Sequence, residues 1–328
     1  MVDRAWESPI VRGTVRSWPL GPGVASQSRI GSRGRDSPAA RPLDSPAMPD
    51  RLTVAYAGEP GAFAEDAVLA AFGDVERRPV GSFREVFEAV SAGRVMAGVV
   101  PIENVINGTV RENYDLLLEH DLQIVGEVVV PIRLCLAALP GQGLDQIDRV
   151  YSHIQALGQA EAFLRARSWQ LLTTYNTAGA GKSIVDRGEW GAAAVLSPRA
   201  AGLFGLQILA DEIGDLPGNR TRFVVLARLG EPAPLPALSG MPRRSTLVLA
   251  VRNEPGTLLA VLRVFAEHGL NMSKLESRPS RERAWEYVFW VDLDADDADP
   301  ATRAALDALA PVTTMVRVLG SYPKAGEA

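Results

Sequence analysis

Residues 149–196 read RVYSHIQALGQAEAFLRARSWQLLTTYNTAGAGKSIVDRGEWGAAAVL. Three short apolar runs (Arg149–Tyr151, Leu171–Tyr175 and Ala192–Leu196) alternate with two stretches of helical spacing, Gln155–Arg167 and Ala178–Arg187. A run too short for a helix, rich in β-branched or aromatic residues and followed by a 3.6-residue period, reads as strand then helix. Strands separated by a helix return parallel to one another, whereas antiparallel neighbours need only a tight turn. The stretch therefore predicts a parallel-sheet α/β domain.

The same rhythm continues outward. Towards the N-terminus, Leu52–Ala57 and Val95–Ile102 are strand-like. Ser82–Ala92 places Phe83, Val86, Phe87 and Val90 on one helical face, and Thr109–His120 does the same with Val110, Tyr114, Leu117 and Leu118. Ile124–Leu139 is one long β-branched stretch interrupted by Pro131. Towards the C-terminus, Pro198–Gly205 reads as a helix and Arg222–Leu229 as a strand. Residues 51–229 form one α/β unit on this reading, and the proline-rich segment 230–244 a linker. Beyond it, strand Thr246–Arg252, helix Thr257–His268, strands Met272–Ser277 and Trp285–Asp294, helix Pro300–Ala310 and strand Met315–Tyr322 give βαββαβ, the ferredoxin-like plan, over 245–323.

Composition narrows the function classes. In 328 residues, 34 Lys and Arg stand against 39 Asp and Glu, a net charge of -5. That balance argues against a general nucleic-acid grip, which needs a basic face. No apolar run reaches the length of a membrane span. A single cysteine, Cys135, fits a reducing cytosol, and His120, His153 and His268 are too scattered for metal-ligand spacing. Residues 1–50 are rich in Pro, Gly, Ser and Arg without hydrophobic period, and are expected to be disordered. Translation is expected to start at Met48, just before the first strand-like run, or else the tail is expected to be dispensable; an Arg- and Ser-rich transit peptide is the other reading.

Chemistry gathers at the helix starts. Ser152-His153-Ile154-Gln155 and Thr109-Val110-Arg111-Glu112 fit capping boxes, Thr177 opens a helix, and Ser197-Pro198 sets an N-cap with proline at the first helical position. In an α/β sheet such starts collect at the carboxyl ends of the strands, where free N–H groups suit a small anion. Gly181-Lys182-Ser183 lacks the first glycine of a phosphate-binding loop, because position 176 is Asn176, so Lys182 reads as a solvated helix residue. Gly141-Gln142-Gly143 likewise does not extend to a dinucleotide fingerprint. Glu103-Asn104 ends an apolar strand as turn formers or as ligands, and Arg222 begins one as a surface charge or a carboxylate fork.

Taken together these motifs resemble the prephenate dehydratase family. The resemblance rests on Tyr56-Ala57-Gly58-Glu59-Pro60-Gly61-Ala62-Phe63, Val100-Pro101-Ile102-Glu103-Asn104, Asn113-Tyr114-Asp115-Leu116-Leu117, Tyr151-Ser152-His153, Asn176-Thr177-Ala178-Gly179-Ala180 and Asn219-Arg220-Thr221-Arg222-Phe223. In the small domain, Glu276-Ser277-Arg278-Pro279 and Gly256-Thr257-Leu258-Leu259 resemble the family's ACT regulatory domain. The resemblance implies a two-lobed, periplasmic-binding-protein-like α/β catalytic domain plus the ferredoxin-like ACT domain. It implies cytoplasmic conversion of prephenate to phenylpyruvate, feedback by L-phenylalanine, a homodimer or homotetramer, and neither metal nor organic cofactor. The short segment 1–50 predicts no mutase domain ahead of the catalytic one.

The resemblance assigns residues as well. Thr221, Arg222 and Glu103 are the expected catalytic residues. Asn104, Ser152, His153, Gln155, Thr177 and Phe223 are expected at the substrate, and Arg222 is expected to line the gap between lobes. Asn253, Gly256, Thr257, Leu258, Leu259, Glu276, Ser277, Arg278 and Pro279 are expected around the effector. A threonine hydroxyl is too weak an acid for efficient proton donation near neutral pH, so Thr221 is expected to donate a hydrogen bond to the departing oxygen. Glu103 or His153 is the next candidate for a proton donor. Four positions depart from the family pattern: Ala64 and Val105 each replace a hydroxyl, Ile154 a proline and Thr257 an alanine. Arogenate dehydration and non-catalytic amino-acid sensing are the alternative functions.

Overall fold

The computed structural model describes residues 52–279 and 287–326. The expected N-terminal extension, 1–50, and the start of the strand expected from Trp285 lie outside the described residues. The first lobe contains β1 (Thr53–Ala57), α1 (Phe63–Phe72), β2 (Glu76–Val80), α2 (Phe83–Ser91), β3 (Ala97–Asn104), β4 (Gly108–Thr109), α3 (Arg111–Glu119) and β5 (Leu122–Pro131). The second contains β6 (Cys135–Ala138), β7 (Arg149–Ser152), α4 (Ile154–Gln159), α5 (Glu161–Arg165), β8 (Gln170–Thr173), α6 (Thr177–Arg187), β9 (Ala192–Leu196), α7 (Pro198–Leu203) and β10 (Gln207–Ala210). The chain then returns to the first lobe as β11 (Arg220–Arg228).

Both sheets are mixed rather than parallel. In the first, ordered β2-β1-β3-β11-β5 with β4 beside β3, the returning β11 runs antiparallel between β3 and β5. In the second, ordered β10-β6-β9-β7-β8, β6 and β10 are antiparallel. The cause is connectivity: the chain leaves the first lobe through β5 and comes back through β11, so two strands lie outside the strand–helix–strand rhythm. The stretch read as one, Ile124–Leu139, is thereby two strands in different lobes, divided just after Pro131. The crossing segments are tied by Ile132 N–H to Asn219 O at 2.8 Å and Ile213 N–H to Leu134 O at 3.0 Å.

Local chemistry sets the helix ends. Ser82 Oγ accepts from Glu85 N–H and caps α2; Ser197 Oγ accepts from Ala200 N–H with Pro198 following, as the sequence predicts. Three other starts differ. Ser152 is the last residue of β7 and donates to Val195 O at 2.6 Å, while His153 Nδ1 caps α4 by accepting from Gln155 N–H. Asn176 Oδ1, not Thr177, caps α6. Thr109 belongs to β4 and donates to Glu276, so no capping box opens α3. The helix read over Gln155–Arg167 breaks at Ala160, because the Asp215 carboxylate accepts Ala162 N–H at 3.1 Å and starts α5 there.

The C-terminal domain contains β12 (Arg243–Ala250), α8 (Thr257–Glu267), β13 (Met272–Pro279), β14 (Tyr287–Leu293), α9 (Pro300–Leu309) and β15 (Met315–Pro323), in an antiparallel sheet ordered β13-β14-β12-β15. One face of that sheet packs on α8 and α9 through Leu247, Leu249, Phe265 and Leu306. The other face joins the core of the first lobe. Trp290 and Tyr322 share a cluster with Tyr114, Ile124 and Val224, and the Tyr114 and Trp290 rings meet edge to face at 4.4 Å. Gly320 lets β15 lie against β5, where a Cβ would collide with Ile124 O. A third cluster, containing Val54, Val128, Leu196 and Ala200, runs across both lobes.

Candidate functional site

β11 sets the geometry of the site. Side chains alternate along a strand, so Thr221 and Phe223 face one side of the sheet and Arg222 the other. Thr221 pairs in register with Asn104 of β3 and Val130 of β5. Asn104 Nδ2 donates to Thr221 Oγ1 at 3.0 Å, to Asn219 Oδ1 at 2.8 Å and to Arg220 O at 3.0 Å. Asn104 Oδ1 accepts Ile106 N–H and Asn107 N–H, which fixes the turn after β3. Because Thr221 Oγ1 is the acceptor in its bond with Asn104, the hydroxyl proton is left to donate.

The network bridges the lobes. Asn219 Nδ2 donates to Gln159 Oε1 of α4 at 3.0 Å. Gln159 and Asn107 both line a cavity of about 370 Å³, together with Ile106, Ile154, Gln155, Asp215 and Leu216. Thr221, 8% exposed, is not itself among the lining residues; it lies beside Asn104 and Asn219, which bond to them. Of the expected substrate residues, Gln155 lines the cavity and Asn104 braces its wall. His153 sits at the start of α4, and burial holds its imidazole below the usual pKa. Ser152 is fully buried and committed to Val195 O. Phe223 is a core residue, 3% exposed. The replacements Ile154 and Val105 are both exposed at this end of the molecule, whereas Ala64 is buried.

A second set of contacts closes the lobes around the β1–α1 loop. Ser197 Oγ donates to Gly61 O at 3.2 Å, and Glu59 receives Lys182 Nζ at 2.9 Å and Tyr175 Oη at 3.0 Å. Arg199 of α7 reaches Glu65 and Asp66 of α1, both at 2.9 Å. Gly61 has φ +88°, and a Cβ there would sit 2.9 Å from Ala200, so glycine is what permits this approach. Lys182, within α6 and 43% exposed as a solvated helix residue would be, is also an interlobe partner of Glu59. The hydrogen bond from Lys182 keeps the Glu59 carboxyl below the usual range.

Arg222 and Glu103 are placed differently from expectation. The Arg222 guanidinium reaches Glu103 Oε2 at 3.1 Å, Glu127 Oε2 at 3.2 Å and Asp292 Oδ2 at 2.8 Å, and only 13% of the side chain is exposed. Asp292 belongs to the C-terminal domain, so this arginine faces the domain junction and not the gap between lobes. Glu103 lies on the same face and also receives Lys274 Nζ at 3.0 Å. Sequence reading missed Gln159 and Asp215. The signal for Gln159 was its spacing of four from Gln155, which puts both amides on one face of a helical turn.

In the small domain, Thr257 Oγ1 donates to Arg252 O and Glu254 O, and Gly256 takes φ +88° ahead of α8. Asn253 and Leu259 are exposed and Leu258 packs on the core. Strand alternation divides the expected effector residues of β13. Ser277 and Pro279 point outwards, while Glu276 receives Thr109 and Arg278 pairs with Asp115 at 3.1 Å. Among the described residues no helix is long and apolar enough to cross a membrane, and no group of three or more His, Cys, Asp or Glu is placed to hold a metal ion.

Comparison with known proteins matches the description "Prephenate dehydratase" over residues 54–231 and "ACT domain" over 245–311. Arogenate dehydratase/prephenate dehydratase 2, chloroplastic, of Arabidopsis thaliana is 40% identical over 284 residues, 83% of this chain and 73% of that protein. The prephenate dehydratase of Arthrobacter aurescens, solved with L-Phe, superposes with TM-score 0.73 at 32% identity, covering 83% of this chain and 90% of that one. A structure titled GqqA, a novel type of quorum quenching acylases, superposes with TM-score 0.74 at 30% identity, covering 83% and 98%.

Proposed function

Since the chain belongs to the prephenate dehydratase family and carries an ACT domain, we propose that it converts prephenate to phenylpyruvate, water and carbon dioxide in the cytosol, as a step of phenylalanine synthesis. The observation that carries this reading is the Asn104–Thr221 hydrogen bond beside an interlobe cavity. The C–C bond to the ring carboxylate breaks as carbon dioxide leaves. Its electron pair enters the ring and expels the opposite hydroxyl as hydroxide, which takes a proton from solvent to become water, giving the aromatic product. Aromatisation supplies the driving force, so the protein needs only to hold the ring and stabilise the departing oxygen. Thr221 Oγ–H donates to that oxygen, with Asn104 fixing its rotamer.

Asp215 on the cavity wall favours a second reading, arogenate as substrate. Its carboxylate keeps acceptor capacity beyond Ala162 N–H and suits the ammonium that arogenate has where prephenate has a keto oxygen. An acyl-transfer reading finds less support: the Ser152 and Ser197 hydroxyls are spent on Val195 O and Gly61 O. L-phenylalanine at the ACT domain, in a homodimer or homotetramer, is the proposed regulation. Ultraviolet detection of phenylpyruvate from prephenate, and of phenylalanine from arogenate, with and without added phenylalanine, tests the function. Turnover of neither substrate at high enzyme concentration contradicts it.

A further inference from the structure

We propose that Arg222 is a positioning residue, through which the C-terminal domain sets the orientation of the Asn104–Thr221 pair without itself touching substrate. The inference rests on the role given above to Thr221. It starts from the register Thr221↔Asn104 and Arg222↔Glu103 between β11 and β3. Each member of the hydrogen-bonded pair thus has, as its chain neighbour, a charged residue on the opposite sheet face. A β-bulge interrupts the β3–β11 ladder immediately after Arg222. That is where backbone direction is set by side-chain anchors as well as by ladder bonds.

Every carboxylate on Arg222 is held by, or belongs to, the C-terminal domain. Glu103 receives Lys274 of β13 at 3.0 Å. Glu127 receives Arg244 of β12 at 2.9 Å. Asp292 of β14 accepts Thr246 Oγ1 at 2.7 Å, and Thr246 meets Tyr322 Oη at 2.6 Å. In this largely buried junction, displacing β14 takes away Asp292, the nearest carboxylate to Arg222 at 2.8 Å, and leaves the guanidinium to Glu103 and Glu127 alone. Arg222 and Thr221 are neighbours on β11, so a change in the partners of Arg222 bears on the strand that carries Thr221. Such an element, with its equilibrium biased from both domains, is what coupling between two sites requires.

The test uses the full chain and compares Asp292→Asn with Asp294→Asn. Asp294 lies at the same junction on Arg244 and Lys324 but makes no bond to Arg222. Asp292→Asn is expected to lower kcat about tenfold with KM changed less than about twofold, the size of an ordinary intersite coupling. Asp294→Asn should leave kcat within about twofold. In the double variant Thr221→Ala/Asp292→Asn, turnover should fall no further than in Thr221→Ala alone, because both act on one group. Amide hydrogen exchange over residues 219–224 should quicken in Asp292→Asn and not in Asp294→Asn. A rise in KM at constant kcat, multiplying effects in the double variant, or unchanged exchange would overturn the proposal. A wild-type chain that turns over neither prephenate nor arogenate refutes the functional reading instead, and the exchange comparison still decides whether Asp292 anchors β11.

Discussion

Asn104 and Thr221 face each other across the β3–β11 ladder, and Asn104 Nδ2 donates to Thr221 Oγ1 at 3.0 Å. This pair joins β3 of the first lobe to β11, the strand that brings the chain back from the second lobe, and Asn104 and Asn219 link it onward to Gln159 of α4. The orientation of the hydroxyl therefore depends on both lobes being in place.

Asn104→Ala removes the donor to Thr221 and both turn bonds to Ile106 and Asn107. A misplacement of about 1 Å costs roughly 100-fold in turnover. A loss of that order in kcat, measured by phenylpyruvate formation, is expected. Normal kcat in the folded variant would show that Thr221 needs no partner.

Charge on the cavity wall predicts selectivity. Asp215→Asn keeps an acceptor for Ala162 N–H but removes the negative charge. The ratio of kcat/KM for arogenate over prephenate is expected to fall about tenfold, as for loss of one modest charge-assisted hydrogen bond. An unchanged ratio would remove Asp215 from substrate discrimination.

His153 gives a pH dependence. Burial lowers its pKa, and Nδ1 must be unprotonated to accept Gln155 N–H. Between the depressed folded value and the unfolded value of about 6.5, the unfolded chain binds more protons, so stability rises with pH across that window. As pH falls below about 6.5 the stability is progressively lost, until the folded imidazole is also protonated. Replacing His153 by Asn, a non-titrating cap, should flatten the slope in urea melts at pH 5 to 7. An identical slope would place the titration elsewhere.

Docking of the C-terminal domain depends on Gly320. Gly320→Ala drives a methyl group into the backbone at Ile124 O. Overpacking of this kind costs about 1–3 kcal/mol. Thermal melts should show the loss, together with increased exposure of Trp290, which is 1% exposed in the docked arrangement. Unchanged Trp290 fluorescence and stability would contradict the packing described.

Much of the architecture was legible in the sequence where period and punctuation agree. The six elements of the small domain follow the βαββαβ reading closely, because each is short, strongly patterned and bounded by turn residues. Helix α1 was missed because FAEDAVLAAF is alanine-rich with a weak apolar stripe, and β2 because ERRPV is a charged edge strand containing proline. The Thr221, Asn104 and Gln155 positions came from motif order. That Arg222 cannot share the face of Thr221 follows from strand alternation alone and was within reach. Its commitment to Asp292 was not, since no local pattern links residues 70 apart in sequence.

The most direct measurement is steady-state turnover of prephenate by the Thr221→Ala chain, with folding checked by circular dichroism. Loss of one preorganised donor to the leaving oxygen is worth about 3 kcal/mol, so kcat should drop at least about 100-fold while KM changes little. A folded variant that keeps near-normal kcat would contradict the claim that this hydroxyl stabilises the departing oxygen.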